Sequence, residues 1–265
     1  MNIRKCGFVL IAATMALALA SCGGSKQDTS TQPAATAATP SGQPVDAATA
    51  GTITGTIKLD GAAPAAHKIN MSAEAYCVTQ HPTPVTDEEV VTGPGGVLAN
   101  AVVYISDDMS KWAFTIPSDP AKIDQKGCLY HPHIVTMVAG QQLQVTNSDN
   151  TTHNIHPIPT TNREWNESQP PGSAPLMKVF ARPEDAIPVK CNVHPWMKSY
   201  IFAMKNPYFS TTGPDGKFTI SNVPPGTYTI TVWQEKFGTK TQSVTVGPKE
   251  TKTVDVSLSA TASGD

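Results

Sequence analysis

The sequence predicts an all-β protein, and three observations carry that expectation. Apolar and polar residues alternate at period two through a series of short runs; Gly and Pro, 19 and 23 of the 265 residues, punctuate those runs; and no long stretch repeats at the helical period. Hydrophobic residues make up 39% of the chain and charged ones 15%, proportions that allow a buried core and suit a folded extracellular β protein. The length holds one large or two small domains. With a formal net charge of −2 and no basic stripe, nucleic acid is not an expected partner.

The first element is a leader. Residues 1–21 open with Arg4 and Lys5, continue through an apolar stretch from Gly7 to Ala20, and end just before Cys22. The apolar stretch is shorter than the roughly 20 residues that a spanning helix needs, which disfavours a transmembrane anchor. The pattern resembles the signal peptide and lipobox of bacterial lipoproteins. That resemblance implies cleavage before Cys22 and lipidation of Cys22 with several acyl chains, which anchor stably where one would not. It also implies an extracytoplasmic location, with the membrane met through the lipid alone. Gly23 stands where an aspartate would resemble an inner-membrane retention signal, so the outer membrane is favoured. Loss of Arg4 and Lys5 with the leader takes the net charge from −2 to −4. Residues 22–50 are rich in Ala, Thr, Pro, Ser and Gly and almost free of large apolar side chains, the composition of a disordered tether. Such a tether reaches on the order of 30 Å.

Strand-like runs follow. Ile53, Ile57 and Leu59 alternate with polar residues, and then come LANAVVYIS, HIVTMV, QLQVTN, KFTI, TYTITVW, QSVTV and TVDVSL. Short half-buried strands separated by turn residues imply antiparallel sandwiches. The run PDGKFTISNVPPGTYTITVW, with tight turns at Asp215-Gly216 and Pro224-Pro225-Gly226, resembles the carboxypeptidase regulatory-like, or transthyretin-like, module. A weaker match opens at Gly51–Gly61 and includes Asn100–Tyr104. The resemblance implies a discontinuous β-sandwich over 51–106 and 207–259, followed by a disordered tail at 260–265. That module is a noncatalytic accessory fold, so it implies no peptidase activity.

Between those halves stand His153, in TTHNIH, and Cys191, His194 and Met197, in CNVHPWM. One thiolate and two imidazoles with a weak thioether form a soft donor set that suits both oxidation states of copper. The order of elements, with a first histidine after an early strand and three ligands in one later loop spaced Cys-x2-His-x2-Met, resembles a cupredoxin of the amicyanin and plastocyanin type. The resemblance implies a Greek-key β-sandwich over 107–206, inserted into or packed against the transthyretin-like one, although two domains in succession remain an alternative. It implies one type 1 copper ion, with Cys191 as the covalent thiolate, His153 and His194 completing the plane and Met197 axial. Asn154 is expected to bond across to the cysteine loop, and Pro195 and Trp196 to flank an exposed His194 near the electron exit. Zinc is the rival metal, and the methionine argues against it. Met204 is expected in the core instead of on the metal.

Cys6 leaves with the leader, Cys22 carries lipid and Cys191 is the metal ligand. In an oxidising compartment, Cys77 and Cys128 are then expected to form a disulfide, the alternative being two buried free thiols. His131 and His133 read as turn or surface histidines, with a second metal site as the less favoured reading. Trp165 and the stretch to Pro175 read as an elaborated loop over the site. No Gly-rich phosphate loop, GxSxG or HExxH is present. The function expected is therefore a single-electron carrier, not an enzyme, that meets a redox protein such as a cytochrome, dehydrogenase or oxidase. Copper storage or delivery, or a purely structural binding module, are the alternatives.

Overall fold

Alternation at period two becomes two β-sandwiches in the computed structural model of the protein, which describes residues 42–260. The leader, Cys22 and most of the tether lie outside the described residues, as do residues 261–265. The end of the expected disordered tether is instead ordered, because Gln43–Pro44 pairs with Trp112–Ala113 and Thr49 O accepts from Lys249 N–H at 3.0 Å. In the first sandwich the strand Gly51–Asp60 is flanked on one side by the antiparallel strand Lys217–Val223 and on the other by Thr251–Thr253 and then Val256–Ser259, both parallel to it. The facing sheet runs in the order Phe209–Thr211, Val102–Ile105, Gly226–Gln234, Gly238–Val246. Ile53, Ile57 and Leu59 from one sheet meet Val103, Ile105, Ile230 and Val232 from the other in a single core. Each such side chain contributes about 1.5–3 kcal/mol on burial.

The run TVDVSL is a strand interrupted at Val254-Asp255, where the chain steps around Gly55. A Cβ on Gly55 would sit 1.8 Å from the Val254 carbonyl oxygen, and backbone on both sides is fixed by Val254 N–H donating to Thr54 O at 2.8 Å and Thr56 N–H donating to Asp255 Oδ1 at 2.8 Å. Gly55→Ala is therefore expected to cost about 1–3 kcal/mol, read as a lower urea midpoint at unchanged m-value. The Asp215-Gly216 turn joins strands of different sheets and not a hairpin. Gly216 has φ +66°, and a Cβ there would lie 2.6 Å from that of Val97. At the second turn, the Tyr228 hydroxyl donates to Pro224 O at 2.7 Å and closes the corner.

The second sandwich pairs a sheet ordered Glu167–Gln169, His153–Pro157, Glu184–Lys190, Lys198–Met204, Ile134–Val138 with one ordered Leu176–Val179, Gln142–Asn147, Ala121–Lys126, Leu129–His131. Ile123, Leu143 and Val145 of the smaller sheet pack on Ile155, Ile187, Val189 and Ile201 of the larger. A third cluster, of Val102, Ile134, Phe202 and Met204 with Tyr104, Phe209 and Trp233 around them, joins the two sandwiches. Met204 is accordingly a core residue, 3% exposed.

The segment from Ile69 to Val85 differs from the expected boundary. Assigned by sequence to the opening half of the first sandwich, it instead puts Met71 and Cys77 into the second core, with Ile69, Tyr76 and Val85 packed around them. The physical reason is a disulfide between Cys77, on the short helix Ala75–Gln80, and Cys128 in the turn between two strands of the second sandwich. Met109, likewise, packs in the first core although it lies past position 106.

Candidate metal centre

His153 opens the strand His153–Pro157, and that strand lies beside Glu184–Lys190, with Lys190 opposite both His156 and Lys198. The register carries the next residue, Cys191, to the end of the sheet where His153 begins. The loop Cys191–Met197 closes on itself through Met197 N–H donating to His194 O at 2.9 Å and Cys191 N–H donating to Met197 O at 3.4 Å. Two neighbouring strands thus deliver the early histidine and the loop to one place.

His153 Nδ1 and His194 Nδ1 face each other at 2.8 Å, and Cys191 Sγ lies 3.7 Å from His194 Nδ1. The ligand atoms of His153, Cys191 and His194 all fall within 4.8 Å of one another, and the three residues are 0%, 2% and 1% exposed. Met197 is fully buried in the same core. The opposite ring nitrogen of His153, Nε2, lies 2.8 Å from Asp149 Oδ2 and donates to it. His153 Nδ1 is then the acceptor between the two rings, and His194 Nδ1 carries the hydrogen. This assignment leaves the buried His194 Nε2, which has no protein partner, as a bare acceptor instead of an unsatisfied N–H. For both Nδ1 atoms to hold a metal, His194 would carry its hydrogen on Nε2 instead, and the proton given up on binding would come from the Cys191 thiol.

The electrostatics favour a thiolate. Burial pushes the Cys191 thiol up, but His153 and the backbone N–H groups of Asn154, His194 and Val193 outweigh it and leave the thiol below its ordinary value. Burial alone would lower the His153 pKa, yet the Asp149 carboxylate and Cys191 hold it above the usual imidazole range. For His194, burial and the charge of His153 act together and lower it. A sulfur whose proton is more easily lost than usual and two inward-facing imidazole nitrogens are a soft donor set that fits a copper ion.

Asn154 locks the loop. Its Oδ1 accepts from Asn192 N–H at 2.6 Å and Val193 N–H at 3.3 Å and lies 3.4 Å from Cys191 Sγ, while its Nδ2 donates to Asn166 Oδ1 at 2.6 Å. The excursion over the site is anchored at the same time by His156, 2.5 Å from Glu164 Oε1, and by Trp165, whose ring packs on Phe180. Farther along it, Glu184 accepts N–H bonds from Thr160, Thr161 and Asn162; these overcome burial and hold its carboxyl down at about 2.

Two placements differ from the sequence expectation. His194 is buried, not exposed: Trp196 packs on its ring at 5.1 Å between centroids, His153 at 4.6 Å, and Glu74 comes near enough to act on its charge. Solvent meets Val193 instead, 53% exposed, with Pro195 exposed beside it. His133 is 7% exposed because it pairs with Glu235 at 2.7 Å between the sandwiches, while His131 stays exposed. The residue that sequence reasoning missed is Asp149. It sits in the polar turn SDNTT, indistinguishable by composition from a solvated loop, and only its position four residues before His153 hinted at a role. Two other groups with metal-ligating side chains stand among the described residues: Cys128, Asp149 and His153, where the sulfur is already in the disulfide, and the more open His67, Asp87 and Glu89.

Residues 204–259 match the carboxypeptidase regulatory-like domain family. They supply Phe209–Thr211 and the strands from Lys217 to Ser259, the C-terminal part of the first sandwich. A comparison with curated proteins finds no match in sequence. Among solved structures, the copper-containing nitrite reductase of Thermus scotoductus is similar over 35% of this chain and 24% of its own, at 16% identity and a TM-score of 0.31. The chain thus spans about a quarter of that reductase. A purple cupredoxin of Nitrosopumilus maritimus is similar over 31% of this chain and 98% of its own, at 21% identity and a TM-score of 0.27. A methionine-to-alanine mutant of amicyanin in the Cu(I) state covers 33% and 85%, at 16% identity and a TM-score of 0.28.

Proposed function

We propose that the protein is a lipid-anchored, extracytoplasmic carrier of single electrons built around one type 1 copper ion held by His153, Cys191, His194 and Met197. The observation that carries this reading is the convergence of two imidazole nitrogens and one buried, acid-shifted thiol on a point closed to solvent. Copper bound there would exchange one electron between its Cu(II) and Cu(I) states, with a soft donor set acceptable to both. The residues supply the rest. Cys191 gives the strong bond and electronic coupling into the loop; Asn154 fixes that loop so that neither state demands a new geometry. Exposed Val193 and Pro195, each one residue from His194 in the chain, form the short path to a redox protein such as a cytochrome, dehydrogenase or oxidase. Burial of every donor leaves no open position for a substrate and slows metal exchange, which favours a carrier over an enzyme or a delivery protein. The leader and Cys22 support anchoring to a bacterial membrane, with the outer membrane favoured.

The test is to add Cu(II) to the metal-free full chain and follow absorption and voltammetry. The expected result is an intense visible copper–thiolate band that saturates at one ion per chain, together with a reversible one-electron couple. Equal uptake of zinc with no band, or rapid surrender of copper to a chelator, overturns it in favour of a zinc site or a delivery protein.

A further inference from the structure

Asp149 is 5% exposed, and all of its visible bonds point inward. Oδ1 accepts from Gly127 N–H at 2.7 Å and the Tyr76 hydroxyl at 3.3 Å; Oδ2 accepts from Cys128 N–H at 2.7 Å and His153 Nε2–H at 2.8 Å. Gly127 and Cys128 both lie in the left-handed region, at φ +60° and +56°, so their consecutive N–H groups form a concave cradle around the carboxylate. The same Cys128 accepts, through its carbonyl, the Trp196 Nε1–H at 3.1 Å, and Trp196 packs on His194. One turn, stapled by the Cys77–Cys128 disulfide, therefore reaches both histidines of the metal centre from behind, His153 through Asp149 and His194 through Trp196.

We propose that Asp149 is a positioning residue for the metal ligand His153, and that its negative charge, delivered through the His153 ring, sets the reduction potential of the centre. The inference rests on the copper-carrier reading. A carboxylate that accepts the Nε2–H fixes the ring so that Nδ1 presents its lone pair to the metal, and it makes that nitrogen a stronger donor. Negative charge and stronger donation stabilise the more highly charged Cu(II) form, so the carboxylate lowers the potential. The backbone N–H groups of Gly127 and Cys128 and the Tyr76 hydroxyl draw charge from the same oxygens and oppose that effect. Any change in their hold on Asp149 is read at the copper.

Two isosteric variants of the full chain decide the matter. Asp149→Asn removes the charge, and is expected to weaken Cu(II) binding by about 10–100-fold. Where Cu(II) loses about tenfold more than Cu(I), the potential rises by about 59 mV. Tyr76→Phe removes one competing donor and keeps the aromatic ring, so its potential shifts in the opposite direction, downward and by less. Unchanged potentials in both variants overturn the proposal and leave Asp149 as a support for the turn alone; if Asp149→Asn does not fold, an unchanged potential in Tyr76→Phe is sufficient to overturn it. The metal-free protein provides a readout independent of copper. Nitrogen-15 NMR is expected to show His153 protonated at Nε2 in the parent chain, and a proton on Nδ1 alone overturns the assignment. Should the parent chain develop no copper–thiolate band, the carrier reading fails while this NMR result still judges the Asp149–His153 bond.

Discussion

Cys191→Ser is expected to leave the protein folded and colourless with copper. The thiolate is the only anionic donor of the set, and a hydroxyl neither ionises near neutral pH nor forms the covalent bond that produces the visible band. Loss of copper affinity is expected to exceed the about 100-fold that marks the upper range for changes to groups behind the ligands. The fold should tolerate the change. A serine hydroxyl at this position still meets the Asn154 Oδ1 and the His194 N–H that Cys191 meets now, at 3.4 Å each, so no buried polar atom is abandoned. The melting temperature of the metal-free variant should stay within a few degrees of the parent, about 1 kcal/mol at this size. A variant that retains the band would remove Cys191 from the ligand set, and with it the function proposed above.

Much of this site was visible in the sequence because its information is local. The Cys-x2-His-x2-Met loop, the strand before it and the Asn next to His153 are read within a few residues of one another, and period-two alternation located QLQVTN and HIVTMV because each has one face in the core. The unread parts are those in which the decisive contact is remote. The cradle of Asp149 lies 21 and 22 residues away in sequence, and the Glu235 that buries His133 lies 102 residues away. The helix Ala75–Gln80 is too short to show a period, and its place in the second core depends on a covalent bond that spacing alone cannot assign. The burial of His194 is unread in part for the same reason: one of the two rings packed on it belongs to His153, 41 residues earlier.

That covalent bond carries the second large effect. Replacing Cys77 and Cys128 together by Ala is expected to cost about 4 kcal/mol, the loop-closure entropy for the 51-residue separation. For a folded unit of this size that corresponds to a melting point lower by about 8–15 °C. Both cysteines are fully buried, so the native protein should also resist a dithiol reductant at rates far below those of an exposed bridge and yield only as fast as it unfolds. A second consequence separates this bridge from a remote staple. Cys128 N–H holds Asp149 and Cys128 O holds Trp196, so loss of the bridge should weaken copper binding in protein that is still folded at low temperature. Differential scanning calorimetry of the metal-free double variant, with copper titration at a temperature well below its transition, measures the two effects separately. An unaltered transition would show that core packing alone holds the segment from Ile69 to Val85 in place. An unaltered copper affinity at a lowered transition would show that the turn keeps its grip on Asp149 without the bridge, because its two left-handed residues are fixed by the carboxylate they surround.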